Sequence, residues 1–193
     1  MSRPLLTRFN PVTAELIAGL QRELGTDCVL VDDDTLSVCG SDETEDLVFR
    51  PDVVVTPRDT RGVAAVMRMA SEHRVPVTPR GAGTGLSGGA LPVYGGIVLS
   101  TRNLNRIVEI DTTNLMAVVE PGVITQVFQE AVEATGLFYP PDPASRGSCF
   151  LGGNLAECSG GPRAVAGLSG CRGLWRLRAR RARRRRVSCH ESE

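Results

Sequence analysis

The chain has 193 residues, 41% of them hydrophobic, and its 22 basic and 22 acidic side chains cancel. That length sets the expectation of one domain, or one domain and a tail, with a core that needs no disulfide or metal staple. No apolar run nears the roughly 18 residues of a membrane span, and the opening MSRPLLTRFNPVTAEL has no apolar stretch of the secretory kind, so the expected location is the cytoplasm.

PVTAELIAGLQREL is the first predicted helix, with Thr13 as its cap and Leu16, Ile17, Leu20 and Leu24 on one face. CVLVD follows as a short strand, and the acidic run from Asp32 to Glu45 reads as irregular surface. PDVVVTP is an apolar strand between prolines. Behind it TRGVAAVMRMASEHR is an amphipathic helix, with Thr60 as cap and Val63, Val66, Met67 and Ala70 on the apolar face. VPVTP is the next strand, and strand, helix, strand makes a βαβ unit whose strands should run parallel. GGIVLST, NRIVEID and MAVVEPG are three short β segments. TQVFQEAVEATG is a second amphipathic helix, capped by Thr125 and closed by Gly136. FYPPDPAS, with its prolines, has to be irregular and largely extended, and SCFLGGNLAECSGG sets a glycine pair in front of a short helix. The fold class implied is α+β, with helices packed on small mixed sheets.

Six cysteines without one C-x-x-C spacing argue against zinc or an iron–sulfur cluster, so no metal is expected. The bland reading of Cys149 and Cys158 is small core residues, and that of His73 is a solvent-facing side chain at a helix end.

Residues 75–96, VPVTPRGAGTGLSGGALPVYGG, hold seven glycines. Each loses more conformational entropy on folding than any other residue, so the run has to repay that loss. Gly83, Gly85 and Gly88 spell G-x-G-x-x-G with Glu109 about 20 residues on, as in a dinucleotide fingerprint. That fingerprint needs its last glycine to open a helix, whereas Gly88 is followed by Gly89, Pro92, Gly95 and Gly96, which no helix tolerates. A Walker loop is excluded because no Lys follows. A loop fed by a strand remains, able to curl successive N–H groups around an anion. Thr84 and Ser87 add hydroxyls, and Arg80 offers a guanidinium at the loop's start.

TPRGAGTGLSGGALP, VEPGV, YPPDPAS and GGNLAECSGG, in that order, resemble the FAD-binding domain of the p-cresol methylhydroxylase/vanillyl-alcohol oxidase superfamily. Within it they are most similar to the branch of the glycolate oxidase FAD-linked subunit, D-lactate dehydrogenases and D-2-hydroxyglutarate dehydrogenase. The resemblance covers about residues 15–163. It implies that Pro79, Arg80, Gly81, Ala82, Gly83, Thr84, Gly85, Leu86, Ser87, Gly88 and Gly89 cradle the FAD pyrophosphate through main-chain amides. It implies that Asp142, Ser145, Ser148, Gly152, Gly153 and Asn154 line the same cofactor. Some relatives attach their flavin through a histidine of the glycine loop; this loop has none, so non-covalent FAD is expected. The implied activity is oxidation of a 2-hydroxy acid, with an electron-accepting partner subunit as a possible companion. No residue is assigned as catalytic, because the base and the carboxylate anchor belong to parts of the fold that this sequence does not match.

The expected divisions are 1–48 as helix and lead-in, 49–163 as an incomplete FAD-binding domain, and 164–193 as an arginine-rich tail. Residues 1–163 hold 13 Arg and 20 acids, residues 164–193 nine Arg and two acids, and there is no Lys. The tail has three readings: a basic arm for nucleic acid or membrane, a helical arm, or out-of-frame translation of GC-rich DNA. The alternative function these leave open is a non-catalytic nucleic-acid-binding protein working through the tail.

Overall fold

The computed structural model describes residues 9–161. The first helix, α1 (Ala14–Leu24), starts as the sequence predicts, the Thr13 side chain accepting from the N–H of Leu16. A 3-10 turn (Thr26–Cys28) leads into β1 (Val29–Leu30). The acidic run then forms a helix, α2 (Asp33–Val38), against the expectation of irregular chain. The cause is local: Asp32 caps the N–H of Thr35 at 2.8 Å, and Asp33 and Asp34 in the first turn complement the helix dipole.

After β2 (Val53–Val55) comes α3 (Thr60–His73). Its cap is Asp59, accepting from Gly62, so Thr60 is the first helical residue rather than the cap. Val66 and Ala70 are buried on its inner face, while Met67 is 45% exposed and lies outside the stripe expected to hold it. β3 (Val77–Arg80) and β4 (Ile97–Ser100) complete a four-stranded sheet of order β1-β2-β4-β3. β2 and β3 both run parallel to β4, which lies between them, and β1 is antiparallel. β4 is buried along its whole length, as an apolar run in a central parallel strand should be.

The sheet separates two apolar layers. Val53, Val55, Ile97 and Leu99 pack with Leu16 and Leu20 of α1 and Val66 and Ala70 of α3. Val54 and Val98, pointing the other way, meet Leu36 and Cys39 at α2. Because β3 and β4 are adjacent and parallel, residues 81–96 must carry the chain from one end of the sheet to the other, a task usually given to a helix.

The rest of the described chain is a second layer. β5 (Ile107–Asp111) and β6 (Met116–Val119) form a hairpin with a bulge between Ile107 and Glu109. α4 (Thr125–Glu133) and α5 (Leu151–Ala156) pack on it through Phe128, Val132 and Leu151, joined by Val123 just ahead of α4, with Ile107, Ile110 and Val119 from the hairpin. Thr125 is the first residue of α4 and does not cap it; Ile124 holds that place without a side-chain bond. Gly152 and Gly153, expected ahead of a helix, lie inside the first turn of α5. Cys149 is buried as expected, and Cys158 is exposed. Among the described residues no helix is long and apolar enough to cross a membrane, and no group of His, Cys, Asp or Glu is arranged to hold a metal.

Candidate functional site

The first glycine run leaves the end of β3 and contains no helix from Gly81 to Gly89, as the sequence requires. Gly83 and Gly88 sit at φ 77 and 72, a left-handed region in which glycine is the natural residue. Among the described residues, the main-chain N–H groups of Gly81 through Ser87 make no hydrogen bond. Gly88 does: its N–H donates to the Thr44 hydroxyl at 2.8 Å. Thr84 and Ser87 make no side-chain hydrogen bond among the described residues. Arg80 turns back under the loop, donating from Nη1 to the Ser41 carbonyl at 2.8 Å and from Nη2 to the Val38 carbonyl at 3.3 Å.

The second run is seated by the turn at Pro121–Val123, the VEPGV motif. Gly152 donates to the Pro121 carbonyl and Leu151 to the Val123 carbonyl, both at 2.9 Å. Those two bonds satisfy the first N–H groups of α5, which no residue earlier in the helix can serve. Bare backbone is required at the contact, since a Cβ on Gly152 would lie 2.7 Å from Pro121 Cβ and 3.0 Å from its carbonyl. The same turn docks on the chain behind β4, where Gly122 donates to Leu104 at 2.6 Å and a Cβ would run into the Thr101 carbonyl.

The two glycine runs are neighbours. A Cβ on Gly81 would stand 3.8 Å from Phe150 and 4.0 Å from Gly153 Cα, and one on Gly89 would stand 2.9 Å from the Glu157 carboxylate. The first loop therefore follows α5 from its opening turn to its end. Gly85 and Gly153 face open space, with nothing within 4 Å of an added Cβ.

The proline segment closes the arrangement. Asp142 donates from its N–H to Gly160 at 2.9 Å, and its carboxylate pairs with Arg146 Nη1 at 2.9 Å. Ser145 accepts through its carbonyl from the N–H groups of Ser148 and Cys149, and Gln129, buried, donates to the Pro141 carbonyl at 2.8 Å. Asn154 points inward: it is 8% exposed, and its amide donates to the Thr125 hydroxyl at 2.6 Å. Thr125 in turn lies 3.2 Å from Cys149 Sγ. This buried chain ties α4, Cys149 and α5 together, and burial beside it pushes the Tyr139 phenol above its ordinary range. Thr44, Thr125, Pro121 and Val123 are parts of the site that were not among the expected cofactor residues. Only the last two carried a signal, as members of VEPGV.

Unused N–H groups on a left-handed turn, next to a second stretch of uncovered backbone, suit a diphosphate with a flat ring system beside it. The residues present thus fit a dinucleotide cofactor without a Rossmann helix. A βαβ lobe and a hairpin–helix lobe meeting at two such stretches define a flavin domain of the p-cresol methylhydroxylase type. The chain belongs to the FAD-binding domain family, whose model matches residues 51–174, and its cofactor is FAD.

Relatives and solved structures agree. Over 124 residues the chain is 49% identical to glycolate oxidase subunit GlcD of Bacillus subtilis, covering 64% of this chain and 26% of that protein. It is 37% identical to a D-lactate dehydrogenase of Anaerostipes hadrus, covering 82% of this chain and 33% of that one. A D-2-hydroxyglutarate dehydrogenase of Stutzerimonas stutzeri is 38% identical, over 71% of this chain and 30% of its own length. The chain thus spans about a quarter to a third of these relatives. Among solved structures, p-cresol methylhydroxylase with substrate bound superposes with a TM-score of 0.58 at 28% identity, over 65% of this chain and 26% of that one. Alkyldihydroxyacetonephosphate synthase shares the fold, with a TM-score of 0.74 at 20% identity over 82% of this chain and 34% of that chain. Nothing found supports the nucleic-acid alternative, and the arginine-rich segment on which it rests lies outside the described residues.

Proposed function

We propose that this chain is the FAD-holding part of an oxidoreductase acting on a 2-hydroxy acid of the glycolate or D-lactate kind. The observation that carries the reading is the approach of the two glycine runs, Gly81 over Gly153, with the N–H groups of Gly81–Ser87 left without partners among the described residues. Those N–H groups hold the diphosphate, each charge-assisted bond contributing about 1.5–3 kcal/mol. Gly153, whose Cβ position is open, lets the cofactor rest against bare main chain, and the turn of Asp142, Ser145 and Ser148 forms the adjoining wall. The cofactor is non-covalent, since residues 79–89 contain no histidine.

FAD, when bound, supplies the acceptor for the hydride on the substrate α-carbon; this chain holds and orients it. The divisions 1–48, 49–163 and 164–193, a cytoplasmic location and an electron-accepting partner subunit belong to the same proposal. The test is to purify the full chain, record its visible spectrum and release its cofactor with acid. A yellow protein that gives up FAD in a near one-to-one ratio is the expected result. A colourless protein that also fails to take up added FAD overturns the reading.

A further inference from the structure

The lone cation of the glycine loop, Arg80, has an obvious task in meeting a phosphate, yet its side chain faces away from the open side. The residue is 8% exposed. Its two outer nitrogens donate to carbonyls at the end of α2 and just beyond it, Val38 and Ser41. A guanidinium suits that position, because late helix carbonyls have no partner within the helix. The loop is shaped around it: Gly83 has no room for a Cβ because Arg80 Nη2 fills the space.

The same segment grips the far side of the loop. Thr44 accepts from Gly88, and Asp42 Oδ1 holds Thr44 in turn by accepting its N–H at 2.9 Å. The other oxygen, Asp42 Oδ2, is buried without a hydrogen bond. An orphaned carboxylate oxygen is unfavourable and persists where surrounding structure over-determines the position.

We propose that Arg80 and the segment Val38–Thr44 form a clasp that presets the first glycine loop, so that Arg80 is a positioning residue and makes no contact with the diphosphate. The proposal rests on the FAD reading for its consequence but not for its geometry. An unclasped loop this rich in glycine visits many shapes, and ligand affinity falls by the fraction of time spent in the competent one. Fastening it at Arg80 and at Gly88 removes that loss in advance.

The test uses the full chain with FAD as probe, in the variants Arg80→Ala, Arg80→Lys, Thr44→Val and Thr44→Ser. A clasp makes Arg80→Lys as weak as Arg80→Ala, each losing about tenfold or more in FAD affinity, because a point charge cannot span two separate carbonyls. Thr44→Val, with no change of charge, weakens binding in the same direction, and Thr44→Ser restores it. The slope of log Kd against log salt stays at the wild-type value in Arg80→Ala, and added ethylguanidinium rescues binding. Near-normal binding by Arg80→Lys, or a shallower salt slope in Arg80→Ala, would assign Arg80 to the phosphate and overturn the clasp. Hydrogen exchange without FAD separates this idea from the one beneath it. The Gly88 amide is protected in wild type, and under the clasp that protection is lost in Arg80→Ala. If wild type takes up no FAD, the cofactor reading fails while the exchange result still decides the clasp. Should Arg80→Ala not fold, Arg80→Lys and the Thr44 pair decide between the same two outcomes.

Discussion

Two adjacent glycines in α5 face opposite demands. Gly152 is pressed on Pro121, so an alanine there has to push the helix off the turn that seats it. Overpacking of this kind typically costs about 1–3 kcal/mol, and Gly152→Ala should lower the urea midpoint along with FAD affinity. Gly153 has nothing near an added Cβ, and an alanine inside a helix is favoured over glycine by about 1 kcal/mol. Gly153→Ala should therefore leave the urea midpoint unchanged or raised while FAD affinity falls. A parallel fall of stability and binding in Gly153→Ala would remove Gly153 from the cofactor wall. Asn154 shows a related division of labour: the motif puts it at the cofactor, and its amide goes instead to Thr125, so whatever it does for the site it does partly from beneath.

At the scale of elements, apolar periodicity made α1, α3, α4 and the strands legible in the sequence, whereas of the three predicted caps only Thr13 holds its place. The misreadings have physical causes. α2 was hidden because Asp32 and its acidic neighbours resemble a solvated loop until one of them is recognised as a cap. α5 begins earlier than its glycines recommend because tertiary bonds from Gly152 to Pro121 and Leu151 to Val123 override weak helix propensity. Of the candidate site, glycine spacing pointed to the two stretches of bare main chain; the contacts of Thr44 with Gly88 and of Thr125 with Asn154 were not legible, since the partner of a threonine hydroxyl is set by the tertiary fold. The hairpin offers a test by pH. Arg106 donates to Glu120 from its main-chain N–H and from its side chain, holding the Glu120 carboxyl below the usual glutamate range. A depressed carboxylate stabilises the fold above its unfolded value of about 4.3 and loses that contribution as pH falls through the folded value. Thermal midpoints measured from about pH 6 down to about pH 3 should fall more steeply below the ordinary glutamate value in wild type than in Glu120→Gln. Equal slopes would mean that the pair contributes nothing to stability.

For the whole molecule, the contrast between the two sheets matters most. The four-stranded sheet is covered on both faces, whereas the hairpin half-buries Ile107, Ile110 and Val119 and leaves Val108, Met116 and Val118 at 60%, 55% and 53% exposure. Among the described residues β5 and β6 pair only with each other, and an apolar, open-edged hairpin invites association. Sedimentation of the full chain should show self-association that rises with concentration and is relieved by the double variant Met116→Lys, Val118→Lys. A chain that stays monomeric without those lysines would mean that the face is covered.

Residues 81–96, proposed to hold the ligand, are also the chain that connects β3 to β4, strands that pair directly with each other. Under that proposal a guest that orders the connection also helps to hold two paired strands of the sheet together, so FAD should act on stability as well as occupy the site. Adding FAD at a hundredfold excess over its Kd should stabilise the chain by about 2.7 kcal/mol, with the melting point rising as the logarithm of its concentration. Without its guest, the chain would carry its loosest connection inside its best-covered sheet.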